Sequence, residues 1–314
     1  MVSYTIVSNP TKEKYWKRIY ELVISKENWF NTPSDYQIWR EGFGEDFTLF
    51  VAIDNETDEA IGASCITNYC GHDGNEFLTA SGMLFVDPAY RGKQIGMALA
   101  DKFAVKEPKN GSLIAVPSMS GKYAKTYGYK LIPEDNMRDI EIKVDKIDLS
   151  PMLSPLEGIT IRSAEESDWP KIFVYDRKML KFIQRDKFIK LYCTQPNSYY
   201  KIAIDSNDNI VGVCLVRCNH EMKAMYTGPF YAETPAIAEH LFLSAIKAVP
   251  DLSHFNEIRL AFYKSSPTLD MLKKFVKKED LTNTHFHYIQ FTKEIIPIPT
   301  SVLYSVSEND CSYI

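Results

Sequence analysis

Short hydrophobic runs separated by polar turns dominate the first half of the chain, and they predict strands. The longest run stops at Asp87-Pro88, because proline has no backbone N–H to donate to a ladder. After it, Ile95, Leu99 and Phe103 recur at helical spacing and form one apolar stripe. Strands are predicted at residues 48–54, 60–69, 77–86, 113–116, 129–132 and 138–144, and helices at 13–25, 93–106 and 120–127.

The second half repeats this alternation of strands and helices. Each half opens with a short strand followed by a helical stretch, which we interpret as an internal repeat. Residues 147–158 separate the halves, since two Ser-Pro pairs and a glycine are typical of a linker. The pattern predicts an α/β fold with domains at 1–148 and 158–314. The second-half strands are predicted at 200–205, 210–217, 257–262, 286–292 and 301–307, and the helices at 235–248 and 269–276.

Composition narrows the class of protein. The 314 residues suit two domains of about 150 residues each. A formal net charge of −5 argues against nucleic acid or an acidic membrane as a partner, because phosphate binding needs a surplus of Lys and Arg on one face. The six cysteines form no CxxC pair and no zinc-type spacing, so we expect reduced thiols in a cytoplasmic protein without a metal. The sequence carries no signal-peptide pattern and no apolar run of the ~18 residues that a membrane span needs.

The strand, turn and helix predicted over residues 83–103 form the one segment with a clear chemical signature. The first N–H groups of a helix have no partner inside the helix and sit at the positive end of its dipole, which suits a pyrophosphate. Gly92 and Gly96 let the backbone approach the phosphates, and Arg91 and Lys93 add positive charge. The segment therefore predicts a site for a phosphate-bearing ligand.

The run FVDPAYRGKQIGMAL at residues 85–99 resembles the acyl-CoA motif of the GNAT superfamily of N-acetyltransferases, Val-x-Pro-x-x-Arg-Gly-x-Gly-Ile-Gly. Gln94 replaces one glycine of that pattern, and we expect it to adopt helical angles so that the turn survives. The resemblance implies acetyl-CoA or a close acyl-CoA as co-substrate. The implied contacts come from Leu84, Phe85, Val86, Arg91, Gly92, Lys93, Gln94, Ile95, Gly96, Met97 and Tyr123.

The resemblance extends over the whole chain, loosely in its second half. Residues 27–35, ENWFNTPSD, and 61–69, IGASCITNY, are similar to tandem-GNAT proteins of the YitH type. This implies two tandem GNAT-like domains, each a twisted, mixed and mostly antiparallel sheet flanked by helices. The second repeat is expected to be degenerate, because residues 231–238 hold no glycine at the equivalent turn and Glu233 would repel pyrophosphate. The second repeat either forms part of the substrate pocket or covers a hydrophobic face of the first domain.

The resemblance implies an N-acetyltransferase that acts on a small-molecule amine; the alternative is a non-catalytic acyl-CoA-binding or sensing protein. In the family, the acid is commonly a tyrosine that lies four residues before the glycine of a Tyr-x-x-x-Gly-Phe motif. In this sequence the glycine is Gly128, and Ala124 occupies the position of the tyrosine. Tyr123, one residue earlier, is either a substitute acid or a ring packed beside the pantetheine.

No general base stands out in the sequence. Thr79 and Ser81 are predicted to share one face of their strand with Met83 and Phe85 and to hold a relay water. His72 is either a base or an exposed loop residue. For the acceptor, Trp29 and Phe30 are expected to form an apolar wall and Asp35 to attract an ammonium group; ordinary packing over the core is the alternative for the two aromatic rings.

Overall fold

The computed structural model describes residues 2–71, 76–104, 109–180, 183–308 and 310. Thirteen strands of the described residues join in one sheet. The strands are β1 Tyr4–Ser8, β2 Phe47–Asp54, β3 Ala60–Cys70, β4 Glu76–Val86, β5 Asn110–Ala115, β6 Met137–Lys143, β7 Ile159–Ser163, β8 Ser198–Asp205, β9 Ile210–Asn219, β10 Ala224–Ala232, β11 Glu257–Tyr263, β12 Thr284–Phe291 and β13 Leu303–Ser305. The helices are α1 Glu13–Lys26, α2 Asp35–Phe43, α3 Ile95–Phe103, α4 Pro117–Tyr127, α5 Trp169–Met179, α6 Asp186–Thr194, α7 Pro235–Lys247 and α8 Thr268–Leu272.

The two halves have the same order of elements. Each begins with a strand and two helices, continues with three antiparallel strands and a helix, and then adds a parallel strand and a further helix. The parallel pairs are β4 with β5 and β10 with β11, and the other neighbouring strands are antiparallel. This confirms the mixed, mostly antiparallel sheet and the internal repeat predicted from the sequence.

Strand β6 of the first half and strand β12 of the second half both pair with strands of the other half. The order along the sheet is β1-β2-β3-β4-β5-β12-β6-β11-β10-β9-β8-β7, with β13 paired to β10. Strand β12 therefore lies between β5 and β6, and β6 lies between β12 and β11. The two halves complete each other's sheet, and the predicted boundary near residues 148–158 lies in the connection between them.

Helices cover both faces of the sheet. One face carries α1, α2, α5 and α6, whose apolar residues join a single core cluster that spans both halves. The other face carries α3 and α4 over the first half and α7 and α8 over the second. Helix α2 packs against α6 across the two halves, where the rings of Phe43 and Phe188 stack with centroids 4.4 Å apart. No helix in the described ranges is long and apolar enough to cross a membrane.

Two parts of the predicted secondary structure were wrong. Residues 129–132 do not form a strand, because Leu131 makes only an isolated bridge to Phe291 and β12 has taken the ladder position beside β5. The sequence interpretation also omitted β10, which contains the Gly228-Pro229 pair. A register shift between Thr227 and Phe230 accommodates that pair inside the strand.

The strand exchange predicts that the first half will not fold by itself. A fragment of residues 1–148 leaves β5 without β12 and removes both neighbours of β6. Unpaired edges of this kind favour aggregation. We expect the fragment to be insoluble alone and to form a soluble complex when co-expressed with residues 158–314, as measured by size-exclusion chromatography and circular dichroism. A monomeric 1–148 fragment with a cooperative unfolding transition would contradict this view; a full-length chain cleaved between residues 148 and 158 serves as the control and should stay associated.

Candidate active site

A cleft opens where β4 and β5 separate. The two strands pair only from Leu78 to Ser81, although β4 continues to Val86 and β5 to Ala115. The separation coincides with a bulge in β4 at Met83, whose φ is 50° and where the register with β3 shifts. Among the described residues, no strand lies beside the β5-facing edge of β4 beyond the bulge, so its backbone groups are available to an extended ligand.

The turn after β4 brings the cleft to the N-terminus of α3. Gly92 has φ of 77°, a conformation that favours glycine. The side chain of Arg91 pairs with Glu27, and its Nε donates to the carbonyl oxygen of Val86 at 3.0 Å. Backbone N–H groups of residues 92–96 donate to no other described residue. The helix end therefore has the open donors and positive dipole that an anion requires.

Gln94 does not have the helical angles that we expected. It lies in the left-handed region with φ 65° and ψ 0°, and its carbonyl accepts hydrogen bonds from the N–H groups of Met97 and Ala98 at 3.1 Å. The glycine of the GNAT pattern adopts such a conformation without a Cβ penalty, whereas a residue with a Cβ is strained by roughly 1–2 kcal/mol. The turn survives because its fold imposes the angle and not because glutamine prefers it.

One cavity of about 1320 Å³ extends along the cleft. At the end near α3 it is lined by Arg91 and Gly96, and α4 contributes Lys122 and Tyr123. The opposite end reaches the seam between the two halves. There the wall is polar and contains Asp139, Glu141, Arg217, Arg259, His285, His287, Glu308 and Asp310. A single space thus connects an anion site, an open strand edge and a chamber rich in ionisable groups.

Tyr123 and Ser81 both line this cavity, in different environments. The Tyr123 ring packs beside Phe103, and burial, followed by the nearby Tyr127 and Tyr129, raises the pKa of Tyr123 to about 12. Its hydroxyl therefore stays protonated at neutral pH. The Ser81 hydroxyl is buried and bonded to the carbonyl oxygen of Phe103 at 3.1 Å and to the Tyr129 hydroxyl at 2.9 Å.

The predicted alternation of Thr79, Ser81, Met83 and Phe85 on one face was wrong. Met83 and Phe85 belong to the core beneath α1 and α2, whereas Ser81 points toward α3 and Tyr129. The bulge at Met83 inverts the faces, because one extra residue shifts a period of two. His72 lies outside the described residues.

The acceptor residues predicted near α2 divide into two groups. Trp29 and Phe30 line the cavity, Trp29 edge-on to Phe85 at 6.2 Å and Phe30 stacked on Tyr226 at 5.5 Å. Asp35 does not reach the cavity: it is buried, and its carboxylate accepts from the Thr32 N–H, the Thr32 hydroxyl and Arg217, each at 2.7 Å. The expectation that Asp35 attracts an ammonium group is therefore corrected, because Arg217 already neutralises it.

Arg217 is the cation that ties the two halves together at this point. It comes from β9, is almost fully buried, and lies with its Cζ 4.1 Å from the centroid of the Tyr192 ring. Burial lowers and Asp35 raises the pKa of the guanidinium, and the balance leaves it above its ordinary value. Its Nε has no hydrogen-bond partner among the described residues, and the residue forms part of the cavity wall.

A family model described as Protein of unknown function (DUF1248) matches residues 2–179. The chain belongs to this family. A holothin acyltransferase from Pseudoalteromonas sp. (strain SANK 73390) is 24% identical over 254 residues, which covers 78% of this chain and 76% of the relative.

Solved structures share the fold of this DUF1248 family member. A putative acetyltransferase from Pyrococcus horikoshii has a TM-score of 0.67 at 17% identity, covering 98% of this chain and 96% of that one. A tandem GNAT protein from the clavulanic acid biosynthesis pathway has a TM-score of 0.64 at 11% identity, covering 94% and 100%. These likenesses confirm the tandem GNAT fold that the motif at residues 85–99 implied.

In the part of the chain that the structure describes, the second half has no equivalent open cleft. Strand β10 pairs with β11 only from Ala224 to Thr227, as β4 does with β5, but β13 then lies beside β10 at Phe230 and Tyr231. The chain following β13 also bonds to β11, where the Val306 N–H donates to the Ala261 carbonyl at 2.8 Å. The protein's own C-terminal segment thus fills the place that is open in the first half.

Sequence reasoning missed the ionisable groups at the seam. Asp139 and Glu141 lie on β6, Arg259 lies on β11, and His287 lies on β12 with its Nδ1 3.4 Å from an Asp139 oxygen. The alternation of charged and apolar residues at 138–143 was visible, but only the strand exchange brings these side chains to one cavity.

The Asp35–Arg217 pair predicts a stability effect that a substrate-binding role does not. Replacing one member of a buried ion pair leaves an uncompensated charge and typically costs about 3–5 kcal/mol. We expect Asp35→Asn to lower the free energy of unfolding by about that amount in urea denaturation. The double variant Asp35→Asn/Arg217→Met is the control and should recover part of the loss. An Asp35→Asn protein of unchanged stability with a raised KM for an amine would restore Asp35 to the substrate site.

Proposed function

We propose that this protein is an acyl-CoA-dependent N-acyltransferase that transfers an acetyl group from acetyl-CoA to a small-molecule amine. The observation that carries the proposal is the single cavity that joins the N-terminus of α3, the open edge of β4 and the polar chamber at the seam. The names of the acyltransferase and acetyltransferase relatives support acyl transfer in general.

The residues around the cleft fit the chemical parts of a CoA thioester. The N–H groups of residues 92–96, which donate to no other described residue, suit the pyrophosphate, with Arg91 and Lys93 adjacent. Leu84, Phe85 and Val86 offer backbone groups to the pantetheine amides; the Phe85 side chain itself faces the core. Ile95 is buried, so it contributes its backbone alone, whereas Met97 is exposed beside the turn.

The reaction needs a neutral amine beside the thioester carbonyl and a proton for the departing sulfur. The lone pair of the amine attacks the carbonyl carbon, a C–N bond forms and the C–S bond breaks. The thiolate then receives a proton that ultimately comes from the attacking nitrogen, and we assign this transfer to the Tyr123 hydroxyl, which lines the cavity and stays protonated at neutral pH. Backbone N–H groups of β4 beyond the bulge polarise the carbonyl.

The chamber at the seam favours a small cationic acceptor. Its wall contains Trp29 and Phe30 from the first half and Tyr226 and Leu260 from the second, so both halves border the acceptor. Carboxylates from Asp139, Glu141, Glu308 and Asp310 border it. We assign one acyl-CoA site to each chain, because β13 fills the second cleft.

The direct test measures thiol release from acetyl-CoA across a panel of small amines, with longer acyl-CoA thioesters in parallel. We expect saturable turnover with at least one amine. Tight CoA binding without turnover on any acceptor would support the alternative, a sensing protein that only binds acyl-CoA. Absence of both binding and turnover would overturn the assignment of the cleft.

Gly96 provides a test of the pyrophosphate position. A Cβ at this residue would lie 3.5 Å from the Val86 Cγ2, an ordinary contact, so Asn and Asp both fit. An aspartate in the first turn suits the helix dipole but repels a pyrophosphate. We expect Gly96→Asp to bind CoA at least about tenfold more weakly than Gly96→Asn in calorimetry, because like charges a few ångströms apart exceed the ~1.4 kcal/mol that a factor of ten requires. Equal affinities of the two variants would move the pyrophosphate elsewhere.

Tyr123→Phe separates the two roles left open for this residue. The substitution keeps the ring against Phe103 and removes the hydroxyl. If the hydroxyl supplies the proton, kcat falls at least about tenfold while the KM for acetyl-CoA is unchanged. Tyr127→Phe is the matched control, since its ring also packs on Phe103. An unaltered kcat in Tyr123→Phe would leave the ring as packing alone.

A further inference from the structure

The C-terminal segment that follows β13 crosses from the second half into the candidate site. It passes two glycines that leave no room for a side chain: a Cβ at Gly228 would lie 1.8 Å from the Val306 carbonyl oxygen, and a Cβ at Gly82 would lie 1.5 Å from that of Asp310. Both glycines stand where a central strand leaves its parallel neighbour. The segment is therefore seated against both strand openings in turn.

Asp310 ends this path at the opening of the first half. Its carbonyl oxygen lies on β3 and β4, where the Cys65 Sγ donates to it at 3.4 Å beside Gly82. Its carboxylate accepts a hydrogen bond from the Asn31 Nδ2 at 2.6 Å. Asp310 borders the cavity, and no Lys, Arg or His of the described residues lies within ion-pair distance of it. Among the described residues, the Asn31 amide is the hydrogen-bond donor to this carboxylate, and Asp310 is part of the chamber wall.

We propose that Asp310 is the general base that takes the proton from the acceptor ammonium, a proposal that rests on the proposed function. The ammonium gives one proton to the Asp310 carboxylate, which becomes a carboxylic acid, and the freed lone pair forms the new C–N bond. The proton on Asp310 then returns to solvent. The thiolate takes the second proton from the nitrogen, so the products are an amide, a thiol and one released proton.

The surroundings of Asp310 suit this task. Burial, followed by the Glu308 carboxylate, raises the pKa of Asp310 to about 8, whereas the Asn31 hydrogen bond and Arg217 lower it. Asp35 on α2 raises it further, and the Cys65 thiol on β3 faces the same segment. A base with a pKa near the working pH combines a useful fraction of carboxylate with a strong affinity for the proton.

Other carboxylates of the chamber are less well placed. Asp139 lies beside the His287 ring, and Glu141 lies 3.7 Å from the Arg259 guanidinium. The Glu308 carboxylate accepts the backbone N–H of Asp310 at 3.1 Å and so helps to position the segment. The Asp310 backbone lies against β4 at Gly82, next to the bulge where the thioester carbonyl is expected.

The test compares full-length Asp310→Asn with the wild-type protein, using the amine that the panel identifies. Asparagine keeps the size and an acceptor for Asn31. We expect kcat/KM to fall about 100-fold or more, with CoA affinity unchanged, and the rise of the wild-type rate up to pH about 8 to disappear. Asp270→Asn on α8 serves as control and should match the wild type, because Asp270 is exposed and forms a surface ion pair with Lys273.

Thermal unfolding gives a second readout that does not depend on turnover. A carboxyl with a raised native pKa binds a proton that the unfolded chain releases near pH 4, so its contribution to stability is complete below that pH and is lost as the pH rises to about 8. We expect the Tm of wild type to fall relative to Asp310→Asn over this window. A difference in Tm between the two proteins that stays the same from pH about 4 to about 8 would overturn the inferred environment of Asp310.

The outcomes separate the two proposals. Wild-type turnover with an Asp310→Asn rate within threefold and an unchanged pH profile would overturn the base and leave the transferase. An absence of turnover by the wild type with every amine would overturn the transferase and, with it, the role of the base.

Discussion

Backbone pairing between β6 and β12 holds the two halves together at the middle of the sheet, and the candidate site depends on it. The pairing runs from Thr284 opposite Ile140 to His287 opposite Met137. It places β12 beside β5, which borders the cleft, and β6 beside β11. The chain that leaves β12 is thereby directed into β13 and on to Asp310. The first half without the second would lack one wall of the chamber and the C-terminal segment that enters it.

The two clefts of the tandem fold have become different because one segment serves both. In each half the parallel pairing lasts four residues, from Leu78 to Ser81 and from Ala224 to Thr227, before the strands separate. In the second half β13 satisfies the exposed strand edge, which would otherwise carry unpaired backbone groups. In the first half the edge stays open, and the same segment contributes side chains instead of a ladder. The segment that occupies the cleft of the second half thus also supplies Glu308 and Asp310 to the cavity of the first half.

Local signals in the sequence were sufficient for the cofactor end and insufficient for the acceptor end. The turn at Arg91–Gly96 depends on glycine spacing and a helix start, which neighbouring residues determine. The inverted face beyond Met83 could not be predicted, because a bulge leaves no mark in the alternation until the partner strand is known. Gln94 shows a similar limit, since the fold and not the residue sets its left-handed angle. Asp310 and Arg217 reach the site only through the strand exchange, so their sequence context carries no signal for it.

The correction at Asp35 changes how the charge of the chamber is understood. Asp35 and Arg217 form a buried pair with nearly cancelling charges, stabilised by hydrogen bonds from Thr32 to the carboxylate and by the Tyr192 ring over the guanidinium. On the pKa of Asp310 the two act in opposite directions, Asp35 raising it and Arg217 lowering it. Their partial cancellation leaves burial and Glu308 as the dominant influences. Asp35, which the sequence analysis assigned to the substrate, therefore acts on the site indirectly, because it holds the Arg217 guanidinium in place.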